Sequence, residues 1–269
     1  MNPIQLLKAA PDICQLSKEA GLAIMRIYQE RSEEQALVSH KSDDSPLTLA
    51  DLAAHHILVN GLARLTPHTP VVSEEDAGSF MHRTAQGCFW LIDPLDGTKE
   101  FLARNGEFTV NVALVVEGEA VWGVVYAPAL DQMFWGGRAS GSFRQTGKLR
   151  SSIAVSPAVG PGQAFRVVAS KSHLNPETSG FINQLGPSEL IQAGSSLKFC
   201  RIAEGSADVY PRLAPTCEWD TAAAQAVLEG AGGHVYDTAG HRLHYGKPDV
   251  LNPSFIAASV PLQQLGKHE

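Results

Sequence analysis

The apolar run Phe89 to Ile92 leads straight into Asp93-Pro94-Leu95-Asp96-Gly97-Thr98, and this junction limits the folds open to the 269-residue chain more than any other feature. Proline has no amide to donate to a ladder and glycine favours turns, so a regular strand or helix is expected to stop here. In a turn, positions i and i+3 approach each other, and both carboxylates then face one point. Two such charges about 4 Å apart repel by about 4 kcal/mol at an effective dielectric near 20. A divalent cation between them reverses that cost, and oxygen-only ligands suit magnesium better than zinc. A solvated Asx-type turn is the competing reading of D-x-x-D, so the choice rests on what else the chain brings to such positions.

Three further acidic signals lie at strand or helix edges: Glu74-Glu75 directly after "VVS", Asp51 in the first turn of a helix, and Asp220 in "EWDTAAAQAV". Each has a structural alternative. Asp51 closes a capping box with Thr48, Asp220 serves as an N-cap, and Glu74-Glu75 forms an exposed pair. Thr98 follows Gly97 where a helix can begin, and free amides at a helix start bind an anion such as phosphate. "AGSSLK", Ala193 to Lys198, repeats that design with Ser195, Ser196 and Lys198, against the alternative of ordinary serine capping.

The net charge of -7 argues against nucleic-acid binding and favours small cations as partners. Cys14, Cys88, Cys200 and Cys217 have neither metal-ligand nor disulfide-framework spacing, which fits a reducing cytosol. No phosphate-binding P-loop, dinucleotide fingerprint or H-E-x-x-H motif occurs. The adjacent pair His55-His56 is expected to point to opposite sides of its helix, in surface or core roles. No apolar stretch reaches the ~18 residues of a membrane span, and the charged first eighteen residues leave no secretory h-region.

Spacings of three and four predict amphipathic helices over Leu6 to Tyr28 and Leu49 to Leu65, the second opened by Ser45-Pro46. Strand signals follow at "VVS", "FWLI", "FTVNVALVV", "AVWGVVYAP" and "MFWGG", an antiparallel meander covered by the two helices. After the Pro/Gly-rich stretch Ser156 to Gln163, strands alternate with helices. The fold class is therefore α/β: an α+β N-terminal half, residues 1–155, and an α/β C-terminal half, residues 164–269. The metal candidates lie mostly in the first, Asp220 in the second.

"SEED" (73–76), "WLIDPLDGTKEF" (90–101), "NGEFTVNVAL" (105–114), "GSSLKFC" (194–200) and "WDTAAAQAVLEGAGG" (219–233) together resemble the signatures of the inositol-monophosphatase superfamily of magnesium-dependent, lithium-sensitive phosphatases. Lys99-Glu100-Phe101 and "SPLTLADLAAH" resemble its bacterial 3'(2'),5'-bisphosphate nucleotidase branch. The likeness runs from about Asp12 to Ala257. It implies a layered αβαβα sandwich in which Glu74, Asp93, Asp96, Asp220 and the Leu95 carbonyl hold two or three Mg2+. Thr98, paired with Asp51, would orient and deprotonate the attacking water, with Glu75 behind the ligands. Substrate would meet Glu74, Leu95, Asp96, Gly97, Thr98 and Asp220, with Ser195, Ser196 and Lys198 contributing.

The implied reaction takes adenosine 3',5'-bisphosphate to AMP and phosphate in sulfonucleotide recycling. It would run in the cytoplasm, with peripheral contact at the inner membrane and the choice of monomer or homodimer left open. An inositol or sugar phosphate phosphatase is the nearest alternative. A haloacid-dehalogenase-type phosphatase requires D-x-D, and Leu95 breaks that spacing. A non-catalytic metabolite sensor has no use for the Thr98-Asp51 pair.

Overall fold

The computed structural model describes residues 3–30, 37–40, 46–160, 162–169 and 175–265. Ser45 and Pro161, both in predicted punctuation, lie outside the described residues, as do the side chains of Leu6 and Leu7.

Helices α1 (Pro3–Glu30) and α2 (Leu49–Leu65) pack side by side. Ile13, Leu16, Ala20 and Ile24 form the buried stripe of α1. α2 starts at its predicted capping box: the Asp51 amide donates to Thr48 Oγ1, and the Thr48 amide donates to Asp51 Oδ2. A short antiparallel pair, β1 (Leu37–His40) and β2 (Pro46–Thr48), leads into it.

Seven strands form the first sheet in sequence order: β3 (Val71–Ser73), β4 (Cys88–Asp96), β5 (Thr109–Val116), β6 (Glu119–Ala127), β7 (Gln132–Gly137), β8 (Gly141–Thr146) and β9 (Leu149–Ile153). The predicted meander runs antiparallel from β4 onward, while β3 joins its edge in parallel. Strands β8 and β9 extend the sheet beyond the sequence reading. Their segments "GSFRQT" and "LRSSI" are mostly polar, half-buried in β8 and largely exposed in β9, and carry little of the apolar alternation that marks a strand.

A second sheet has the order β11-β10-β12-β14-β13, made of β10 (Phe165–Ala169), β11 (Ser188–Gln192), β12 (Val209–Arg212), β13 (His234–Asp237) and β14 (Phe255–Ala258). Between its strands run α4 (Pro176–Gln184), α5 (Leu197–Ala203) and α6 (Glu218–Gly230), while the short α3 (Thr98–Leu102) joins β4 to β5 of the first sheet.

Period-two alternation decides how these pieces layer. On β4, Trp90 and Ile92 pack with α1 and α2, whereas Phe89 and Leu91 face the opposite cluster with α5 and α6. On β14, Phe255 and Ala257 join that inner cluster, while Ile256 and Ala258 pack with Ile182 of α4. The order is α1/α2, seven-stranded sheet, α5/α6, five-stranded sheet, α4, the αβαβα arrangement implied by the resemblance.

Helix α6 sits between two sheets and is buried on every side, so its apolar side chains must be small where a sheet comes close. The run Ala222-Ala223-Ala224 meets that need. Strand β6 answers with Gly123, where a Cβ would lie 2.3 Å from the Ala223 carbonyl oxygen. Gly123→Val is expected to lower stability by about 1–3 kcal/mol or more through overpacking, read as a fall in the urea midpoint.

Candidate active site

The junction that constrained the sequence is a β-bulge that contains an Asx-type hydrogen bond on a buried Asp93, not the end of the strand. Asp93 pairs with Asn111 and Asp96 with Thr109, so β4 advances three residues while β5 advances two. The strand therefore continues past Pro94 to Asp96, which corrects the expectation that it stops at Ile92. The extra residue redirects the chain, and the Leu95 amide donates to Asp93 Oδ1 at 3.0 Å. Gly97 then takes φ +93°, a left-handed conformation natural to glycine, and caps α3 at Thr98.

Three elements converge on the bulge. Glu74 follows β3, Asp93 lies in β4 and Asp220 in the first turn of α6, and each offers a carboxylate oxygen within 4.8 Å of the other two. Asp220 is not the N-cap of its helix: Cys217 is, and its amide donates to Asp220 Oδ2 at 2.7 Å. Burial, with the charges of Asp96 and Glu74, pushes the Asp220 carboxyl well above the ordinary aspartate range. Three carboxylates converging at this separation fit a hard divalent cation, whose charge offsets both effects.

Beside this cluster, Asp51 is fully buried, and its capping box uses only Oδ2. Its Oδ1 lies 3.4 Å from the Thr98 hydroxyl, which also reaches the Leu95 carbonyl at 3.3 Å. The capping reading and the functional reading of Asp51 thus describe different oxygens of one carboxylate.

Asp96 lies outside the three-carboxylate group. Its Oδ2 accepts from the Ser196 amide at 2.7 Å, and the Ser196 hydroxyl lies 2.9 Å away, with Asn111 Nδ2 at 3.3 Å and Thr109 Oγ1 at 3.4 Å. The same Ser196 hydroxyl is 2.8 Å from the Asp220 carbonyl, joining the start of α5 to α6 and the bulge. Ser195, at φ +46°, directs its hydroxyl toward the carbonyls of Asp96 and Glu107.

A cavity of about 150 Å³ opens beside Asp96, Gly97, Ser195 and Asp220. Lys198 and Arg212 line it from α5 and β12, and Glu100 from α3. Burial holds the Lys198 ammonium below its usual range, partly opposed by Asp96. Arg212 donates from Nη2 to the Pro215 carbonyl, while its buried Nε has no hydrogen-bond partner among the described residues.

Four contributors escaped the sequence reading. Thr109 and Asn111 had a visible signal: in "FTVNVALVV" they occupy the face on which Ala113 and Val115 are core. Arg212 and Glu218 had none. His55 departs from expectation as well, its ring lying 5.2 Å from that of His56. Nδ1 of His55 is 2.8 Å from Ser73 Oγ, which accepts from the Glu75 amide and so ties α2 to the Glu74-Glu75 segment.

The fold and this constellation define a phosphatase-type scaffold, and the chain belongs to the inositol monophosphatase family, whose model matches residues 5–268. This membership overturns the haloacid-dehalogenase alternative. The 3'(2'),5'-bisphosphate nucleotidase CysQ of Salmonella typhimurium is 46% identical over 244 residues, covering 90% of this chain and 96% of that protein. The Buchnera aphidicola nucleotidase of the same name is 38% identical over 263 residues, covering 94% of each. The crystal structure of CysQ from Bacteroides thetaiotaomicron superposes with a TM-score of 0.79 at 40% identity, over 91% of this chain and 95% of that one.

Glu218, fully buried two residues before Asp220, faces Lys247 Nζ at 2.5 Å and Arg83 Nη1 at 3.2 Å and accepts from the amides of Gly246 and Lys247. Removing its charge strands two cations. Glu218→Gln is expected to cost about 3–5 kcal/mol in urea unfolding. Asp220 gives a pH-dependent counterpart. Because its folded pKa is raised without metal, the folded chain holds a proton that the unfolded chain has released. Stability therefore falls as pH rises from the unfolded value, about 3.9, toward the folded one. In EDTA, Asp220→Asn is expected to melt above wild type at pH 7, and scanning calorimetry should show the gap closing toward pH 4.

Proposed function

We propose that this protein is a magnesium-dependent phosphomonoesterase that converts adenosine 3',5'-bisphosphate to AMP and phosphate by attack of water. The observation that carries this reading is the meeting of Glu74, Asp93 and Asp220 within 4.8 Å beside the Asp51-Thr98 pair. The relatives named bisphosphate nucleotidase support the choice of substrate.

In this reading Glu74, Asp93 and Asp220 hold Mg2+, joined by Asp96 and the Leu95 carbonyl, with two or three ions bound and Li+ inhibiting. When bound there, Mg2+ would supply an acidified water and neutralise charge developing on the phosphoryl and leaving oxygens. Thr98 passes its hydroxyl proton to Asp51 Oδ1 as it accepts one from the attacking water, and the capping box keeps Asp51 aimed during the exchange. Ser196 holds Asp96 in place, with its hydroxyl occupied between Asp96, Asn111 and the α6 carbonyl.

Lys198 and Arg212 receive the non-reacting phosphate, and Ser195 and Gly97 border the sugar. The cavity is smaller than the ~300–1,000 Å³ of sites that enclose a drug-sized ligand. Phosphate and ribose therefore enter it, while the base lies across its mouth. Glu75, reached through Ser73 and His55, steadies the Glu74 segment. The enzyme would act in the cytoplasm on a by-product of sulfonucleotide metabolism. Among the described residues, no helix is long and apolar enough to cross a membrane.

A panel measuring phosphate release with and without Mg2+ should show adenosine 3',5'-bisphosphate turning over much faster than inositol 1-phosphate or a sugar phosphate, and a reversed order rejects the nucleotidase assignment. Thr98→Ala is expected to lower kcat about 10²- to 10⁴-fold with little change in KM; near-normal kcat would remove Thr98 from the proton path.

A further inference from the structure

A larger cavity, about 580 Å³, lies between α1 and the β7–β9 end of the seven-stranded sheet. None of its lining residues lines the candidate active site. Its volume falls in the ~300–1,000 Å³ range of small-molecule sites. The floor and walls are aromatic and soft: Trp122 and Met133 are nearly fully buried, and Trp135 stacks on Phe143 with ring centroids 5.8 Å apart.

Charge at the cavity is of one sign. Among the described residues its lining includes Lys18 from α1 and Arg150 from β9 and no carboxylate. The Arg150 guanidinium lies over both stacked rings, 4.9 Å from the Trp135 centroid and 4.6 Å from that of Phe143. This cation-π seat orders a long side chain that an exposed strand would otherwise leave free. Cys14, also in the lining, feels both cations: burial pushes its thiol up to about 12, and Arg150 and Lys18 act in the opposite direction. Gln15, Ser140 and Gln145 supply further polar groups at the lining.

The geometry points to this cavity as a second binding site, for a small aromatic anion whose ring packs among Trp122, Met133, Trp135 and Phe143 while its charge pairs with Lys18 and Arg150. Apolar walls alone would take any greasy molecule; the two cations select for negative charge, and the flat ring pair selects for planarity. The site is independent of the phosphatase reading, since none of these residues takes part in it.

The test uses the full chain with 8-anilinonaphthalene-1-sulfonate, an aromatic sulfonate, and N-phenyl-1-naphthylamine, its neutral counterpart. The expected result is one saturable equivalent of the sulfonate, bound with quenching of tryptophan emission. Lys18→Gln/Arg150→Gln should weaken it about tenfold, as loss of two partly exposed charge pairs allows, and should leave the neutral probe little changed. Ala139→Trp, at an exposed position of the cavity lining, should block both probes, and both variants should keep wild-type phosphate release and a single cooperative melt, the double variant melting slightly lower through loss of the Arg150 cation-π contact. Absence of saturable binding, equal sulfonate binding by wild type and the double variant, or displacement of the probe by concentration-dependent dimerisation in sedimentation would each overturn the assignment.

Discussion

Mutual repulsion among converging carboxylates, Asp93 buried and Glu74 and Asp220 half-buried, is the constraint around which this molecule is arranged. Glu74, Asp93 and Asp220 come from segments far apart in sequence, yet their oxygens lie within 4.8 Å. No local preference brings like charges together, and burial raises the cost. The surrounding frame must therefore hold them against their own field. It does so by giving the acids fixed hydrogen bonds from backbone: the Leu95 amide to Asp93, the Cys217 amide to Asp220, and the Ser196 amide to nearby Asp96. Helix starts assist. Asp51 and Asp220 each occupy the third helical position, where the dipole favours negative charge.

The αβαβα layering provides the rigidity such a frame needs. α6 carries Asp220 and is clamped between two sheets, its alanines against Gly123 on one side and the cluster of Phe199, Tyr210 and Phe255 on the other. Its first turn is fixed again by Glu218, whose ion pairs reach Arg83 and Lys247 on separate segments. Strand β4 delivers Asp93 and Asp96 with a bulge between them, which turns their side chains without ending the strand. A site that concentrates charge thus sits where three well-packed elements meet, and polar hydroxyls of Thr98, Thr109 and Ser196 fill the joints.

Much of this was legible because the signals are local. The capping box at Thr48 and Asp51 depends on residues three apart, and α2 begins where that pattern places it. The run "AAAQAVLEG" reads as a helix and is one. Three of the acidic positions singled out by sequence prove to be neighbours in space, whereas β8 and β9 went unread because their mostly polar residues carry too little periodicity. Arg212, Glu218 and the His55–Ser73 contact went unread for a different reason: each acquires its role only from partners elsewhere in the chain.

By itself the sequence determined the residue types, the element boundaries set by caps and alternation, and the acidic signals spaced at strand and helix edges. Those follow from interactions over a few residues, where chain connectivity alone sets proximity. Only the tertiary structure decided that the D-P-L-D segment is a bulge within a continuing strand, that Asp51 divides its two oxygens between Thr48 and Thr98, and that Asp96 answers to Ser196 and Asn111. Such outcomes depend on register between strands and on the packing of helices from distant segments, and no local pattern encodes a distance between residues a hundred positions apart.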